Sequence, residues 1–104
     1  MTIEDLRILC KDETIQMTSH VLKRCRERNI KLNDIKQCIM YGEIIEEYPD
    51  DYPFPSALVM ECNIGTPLHI VAGIGNGYLW IITAYIPSLS KWESDYKTRK
   101  ENNI

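Results

Sequence analysis

The sequence predicts an α+β domain: N-terminal helices, then a four-stranded antiparallel sheet, then a C-terminal helix. Three observations predict it. Apolar residues recur at helical spacing up to Gly42. From Glu43 the spacing changes to two. No strand–helix–strand alternation follows, so the strands should pair as antiparallel neighbours with helices mainly on one face.

The first helix is expected in "TIEDLRILCKDE", with Thr2 as N-cap, Asp5 three residues on, and Ile3, Leu6, Leu9 and Cys10 at helical spacing. "TSHVLKRCRERN" predicts the second, capped by Thr18 or Ser19, striped by Val21, Leu22 and Cys25, and stopped at Asn29. "NDIKQCIMYG" predicts the third, with Asn33 as cap, Ile35, Cys38 and Ile39 facing inward, and Gly42 at its end. "EIIEEY" is the first predicted strand. "PDDYPFP" is an acidic, Pro-rich loop that no strand interior tolerates. It reads as a surface connection, a lid or a contact edge. Strands are then expected in "SALVMECNI", "PLHIVAGI" and "YLWIITAYI", with a turn at Gly65-Thr66 and a hairpin loop at "GNG". "SLSKWESDYKTRKE", with Ser88 or Ser90 as cap and Trp92 and Tyr96 one turn apart, predicts the C-terminal helix.

Bulk properties set the class. At 104 residues the chain is expected to form a single domain, 1–104, with 44% hydrophobic and 26% charged residues. A net charge of −3 argues against a strong non-specific grip on nucleic acid, although a local patch can still be basic. The start "MTIEDLRILCKDE" lacks the apolar run of a signal peptide, and no window reaches the length of a membrane span. A cytoplasmic location, without membrane, is expected. Cysteines 10, 25, 38 and 62 show no C-x-x-C spacing, so they read as reduced core thiols, with no metal site and no cofactor expected.

Chemistry-bearing residues gather in two places. His20, Arg24 and Arg28 recur at i, i+4 and i+8, with Glu27 between the last two. They occupy one strip beside the apolar stripe, at the edge of any helix–sheet contact. Guanidinium forks there match phosphate or carboxylate. A solvated helix face, with Glu27 pairing locally, is the plainer reading. His69, Thr83 and Tyr85 stand on two otherwise apolar strands. Register decides their relation. A two-residue Asn76-Gly77 loop sends His69 and Thr83 to opposite faces. A three-residue "GNG" loop puts all three on one face and leaves Leu68, Ile70, Ala72, Trp80, Ile82 and Ala84 to meet the helices. The three-residue loop is expected, with the polar face meeting His20 and Arg24 in one pocket. A satisfied core histidine is the alternative for His69.

"SHVLKRCRERNI", "GEIIEEYPDDYPFPSAL" and "PLHIVAGIGNGYLWIITAYIPSLSKWE" carry the pattern H-x-x-x-R-x-x-E-R-x-I and a later I-T-x-Y-x-P. Over about residues 18–92 they resemble a family of small bacterial and archaeal domains of unknown function. Members are often encoded beside zinc-finger, helix-turn-helix proteins of the antitoxin kind. That family is in turn distantly similar to the BrnT and RelE/ParE-like toxins, compact α+β domains, several of which cleave mRNA at the ribosome. "IITAYIPSLSKWESDYK" is similar to the BrnT ending, with Tyr85 where those proteins place a basic residue. The resemblance implies the toxin of a toxin–antitoxin pair, a metal-independent endoribonuclease of the mRNA-interferase kind. His20 or His69 would be its acid–base group, Arg24 and Arg28 would hold the scissile phosphate, Tyr85 would position the base or donate a proton, and Thr83 counts with them among the catalytic candidates. The alternative it implies is a non-catalytic protein-binding module that acts through the zinc-finger partner.

Overall fold

In the computed structural model, which describes residues 1–63 and 66–101, the sheet has five strands rather than four and is mixed rather than purely antiparallel. The elements are α1 (Ile3–Ile8), β1 (Ile15–Gln16), α2 (Ser19–Glu27), α3 (Leu32–Tyr41), β2 (Glu43–Tyr48), β3 (Ser56–Asn63), β4 (Thr66–Gly75) and β5 (Tyr78–Tyr85). The sheet order is β1-β5-β4-β3-β2. β2 to β5 form an antiparallel meander, and β1 lies parallel to β5 through Ile15↔Leu79 and Gln16↔Trp80. Two residues are too few to show a period, so β1 escaped the sequence pattern. Gly65, in the expected Gly65-Thr66 turn, lies outside the described residues. No described helix is long and apolar enough to cross a membrane.

The helices begin where side chains satisfy their free N–H groups. Thr2 and Asp5 cap α1 reciprocally, Asp5 N donating to Thr2 Oγ1 and Thr2 N to an Asp5 carboxylate oxygen. Thr18 Oγ1 accepts from Val21 N at the start of α2. For α3 the cap differs from expectation: the helix starts at Leu32, Asn33 lies inside it, and the Asp34 carboxylate accepts from Lys31 N. Asn29 ends the α2 segment with a left-handed φ of 56°, a conformation that Asn tolerates.

One face of the sheet packs on the helices. Val59, Ile70, Ala72, Leu79, Ile81 and Ala84 from the strands join Leu6, Val21, Cys25, Ile35, Cys38 and Ile39 from the helices in one core. Complete burial of residues such as Ile35, Ile39 and Ile70 contributes about 1.5–3 kcal/mol each. All four cysteines are free. Cys25 and Cys38 are core residues, but Cys62 is exposed, which corrects the reading of all four as core.

The hairpin loop is not three residues long. Gly75 pairs with Tyr78 around a two-residue turn, with Asn76 and Gly77 both at positive φ (55° and 81°) as a type I′ turn requires. The register then shifts: Ala72 pairs with Ile81 but Val71 with Thr83, leaving Ile82 as a bulge. The extra residue reverses the phase of β5. Before it, Leu79 and Ile81 face the helices; after it, Ala84 does, while Thr83 and Tyr85 share the other face with His69. The polar residues therefore do share a face, but a bulge puts them there. Trp80 and Ile82 do not join the helix-facing set: Trp80 pairs with Gly73 on the opposite face, and Ile82 is 45% exposed.

The C-terminal helix is absent. Residues 88–100 form a short strap across the sheet face that the helices leave free. The Asp95 carboxylate accepts from Lys97 N, Thr98 N and Thr98 Oγ1, a local turn that competes with helix. Tyr96 takes a left-handed φ of 58°. Trp92 and Arg99 bridge as antiparallel partners, closed by Glu93 N to Thr98 O and Lys100 N to Lys91 O. The one-turn spacing of Trp92 and Tyr96 thus marks a small hairpin and not a helix.

Candidate functional site

α2 crosses the edge of β5 beyond the short β1 ladder, and Arg28 Nη1 donates to Ala84 O at 2.7 Å. This bond anchors the basic strip to the sheet edge. His20, Arg24, Arg28 and Thr83 line one small pocket of about 240 Å³ together with Val21, Ile82 and Ala84. His20, Arg24 and Arg28 are exposed. Arg24 also meets Glu27 at 3.3 Å; both side chains are about half exposed, so the pair is weak and open to competition by an arriving anion.

A larger groove of about 480 Å³ adjoins this pocket along His20, Val21 and Ile82. Phe54 and Trp80 form its far wall, their rings 6.4 Å apart and inclined by 24°. Trp80 Nε1 donates to Gly75 O at 3.2 Å, which fixes the indole. Phe54 lies flat on Gly75: a Cβ there would fall 2.3 Å from the ring, so no other residue leaves it room. Neither aromatic residue belongs to the candidate sites that the sequence marks. The proline-flanked aromatic loop and the Gly at the hairpin end were the signals available.

His69 and Tyr85 lie elsewhere. His69 is completely buried beneath the strap. Its Nε2 donates to the Tyr96 carbonyl at 2.7 Å, because a carbonyl only accepts; Nδ1 therefore accepts from the Tyr85 hydroxyl at 3.2 Å. Burial holds this imidazole below its ordinary value of 6.5, opposed by the Tyr96 bond, and burial raises the Tyr85 phenol. Trp92 stands edge-on to His69 at 4.5 Å, and Arg99 stacks over Trp92 at 4.6 Å. Arg99 also grips both Glu46 oxygens, at 2.8 and 3.0 Å, and this holds the Glu46 carboxyl below the usual range. Tyr48 donates to Glu46 Oε1, and burial followed by that bond pushes its phenol up to about 12. A second bulge, at Ile45, is what turns Glu46 and Tyr48 to this face. Sequence alternation alone would have kept Ile44 and Glu46 together.

The expected single pocket thus divides. Thr83 meets His20, Arg24 and Arg28, whereas His69 and Tyr85 serve a closed network that holds the strap. No buried side-chain nitrogen or oxygen among the described residues lacks a partner. Nor do any three His, Cys, Asp or Glu side chains among them converge as a metal ion would require.

A family model described as a domain of unknown function, DUF4258, matches residues 17–86. The chain belongs to the DUF4258 family. No curated protein and no solved structure matches it. The residues of the DUF4258 match include the whole groove and pocket, from Thr18 at the N-cap of α2 through Phe54 to Thr83, and stop short of Trp92 and Arg99.

Proposed function

We propose that this DUF4258 protein is the toxin of a toxin–antitoxin pair and acts on RNA as a metal-independent, RelE/BrnT-like ribonuclease. Its site is the pocket between α2 and the β5 edge. The supporting observation is the convergence of His20, Arg24, Arg28 and Thr83 at the mouth of an apolar groove. Arg24 and Arg28 would hold the scissile phosphate, and Thr83 would orient it. The ribose 2′-oxygen attacks the adjacent phosphorus as His20 takes its proton. The 5′-oxygen leaves and is protonated by solvent in the open groove, giving a 2′,3′-cyclic phosphate and a 5′-hydroxyl. His69 has no part in this step, because both its nitrogens are engaged away from solvent.

The test is cleavage of a single-stranded RNA by the purified chain, with the ends identified. His20→Ala and Arg24→Ala should each slow cleavage by about 10²–10⁴-fold, as loss of acid–base or phosphate contacts does, with the melting temperature unchanged. Intact RNA after prolonged incubation with the wild-type chain refutes the ribonuclease.

The second reading is a non-catalytic binding module that acts through a zinc-finger, helix-turn-helix partner in the cytoplasm. The net charge of −3 and the tyrosine at position 85 favour it. In that case a partner co-expressed from the neighbouring gene binds the wild-type chain and His20→Ala alike.

A further inference from the structure

We infer that the groove walled by Phe54, Trp80 and Ile82 is a stacking subsite for one unpaired nucleobase of single-stranded RNA, whose phosphate lies on Arg24 and Arg28. This rests on the RNA-directed reading above and names how that substrate is held.

The groove has the size and character for it. About 480 Å³ is within the range of small-ligand sites, and the lining is apolar apart from Thr18 and His20. Thr18 Oγ1 is already accepting from Val21 N. Two aromatic planes are preset, one by the Trp80–Gly75 bond and one by contact with Gly75, so a base would stack without ordering its walls first. Every base has a π face, and such stacking tolerates sequence. With almost no hydrogen-bonding group on the walls, the subsite should distinguish a base from no base far better than one base from another.

Charge sets the direction. α2 carries Lys23, Arg24 and Arg26, and Arg28 caps its C-terminus, against Glu27, so the phosphate side of a nucleotide is drawn to it. The segment from Gly42 to Phe54 holds no Lys or Arg and carries Asp50 and Asp51, so it offers a phosphodiester no counter-charge. A base therefore enters towards Phe54 while the backbone leaves along α2. An apolar peptide would fill the same walls but has no use for the guanidinium strip.

The test compares a short 2′-O-methyl oligoadenylate, which resists cleavage, with an abasic ribose-phosphate oligomer of equal length. Trp92 is 2% exposed, so quenching of tryptophan fluorescence reports on Trp80. The oligoadenylate should quench, and should bind about tenfold more tightly than the abasic oligomer. Trp80→Phe should abolish the quench. Phe54→Leu should bring oligoadenylate affinity down to the abasic level without altering its salt dependence. The wild-type comparison stands by itself if either variant fails to fold. Equal binding of the two oligomers, weakened alike by Arg24→Ala, would overturn the stacking subsite and leave RNA binding in place. No binding of either oligomer would overturn both. Uptake of an uncharged apolar peptide with no response to oligoadenylate would make the groove a peptide site instead.

Discussion

The chain's two histidines occupy opposite surroundings. His20 stands exposed on α2, at the junction of a basic pocket and an apolar groove. His69 lies wholly buried on the other face of the sheet, bonded at both nitrogens and roofed by Trp92. One region is open, with exposed basic side chains; the other is closed and satisfied. A perturbed titration is often taken to mark a functional site, yet the shifted His69 imidazole is enclosed and bonded at both nitrogens. Its shift arises from burial, and burial is what removes it from substrate.

The largest break in this comparison should come from His69→Ala. It strands the Tyr96 carbonyl and the Tyr85 hydroxyl and opens a cavity under Trp92, so it should cost about 2–4 kcal/mol in urea denaturation. A cost below about 0.5 kcal/mol would mean that the strap does not depend on the imidazole.

Acid should loosen the same region first. The native pKa of His69 is depressed below its unfolded value of 6.5, so its contribution is complete above that pH. It is lost as pH falls from 6.5 towards the lower native pKa, because the unfolded chain takes up the proton first. Glu46 acts in a separate window: its depressed native pKa adds stability above 4.5 that is lost on further acidification. Denaturation measured across this range should show both limbs. His69→Gln should flatten the upper limb and leave the lower one; a profile unchanged by His69→Gln would assign the upper limb to another group.

Arg99→Ala should cost about 1 kcal/mol, since the guanidinium is more than half exposed and its ion pair is screened, although its stacking on Trp92 adds to the loss. Hydrogen exchange sharpens the point. Strap amides such as Glu93 and Lys100 should exchange faster, while α2 amides keep their protection. Acceleration spread evenly over both regions would show them to be one cooperative unit.

The smallest effect belongs to the open region. His20→Ala and Arg24→Ala should each change stability by less than about 0.5 kcal/mol, because among the described residues His20 makes no side-chain bond and Arg24 makes only an exposed pair. A loss above about 1 kcal/mol from either would class them with His69 as structural residues.

What the sequence determined by itself was what is local. Caps at Thr2 and Thr18, apolar spacing on α2 and α3, and alternation on β3 to β5 are written within a few residues of where they act, so the α+β class was legible. The basic strip was legible for the same reason, since His20, Arg24 and Arg28 are neighbours on one helix. Everything that depended on a partner strand was not. Alternation fixes which residues share a face only until a bulge, and the bulges at Ile45 and Ile82 exist because neighbouring strands impose a register. They decided which face Glu46, Thr83 and Tyr85 joined. β1 gains its strand geometry from two residues of β5, and Phe54 meets Trp80 across a turn of the chain that no periodicity encodes. The strap shows the contest most directly. A helical pattern at Trp92 and Tyr96 yielded to the Asp95 turn and to the burial of Trp92 against His69, because isolated short helices are marginal and tertiary packing outweighs them.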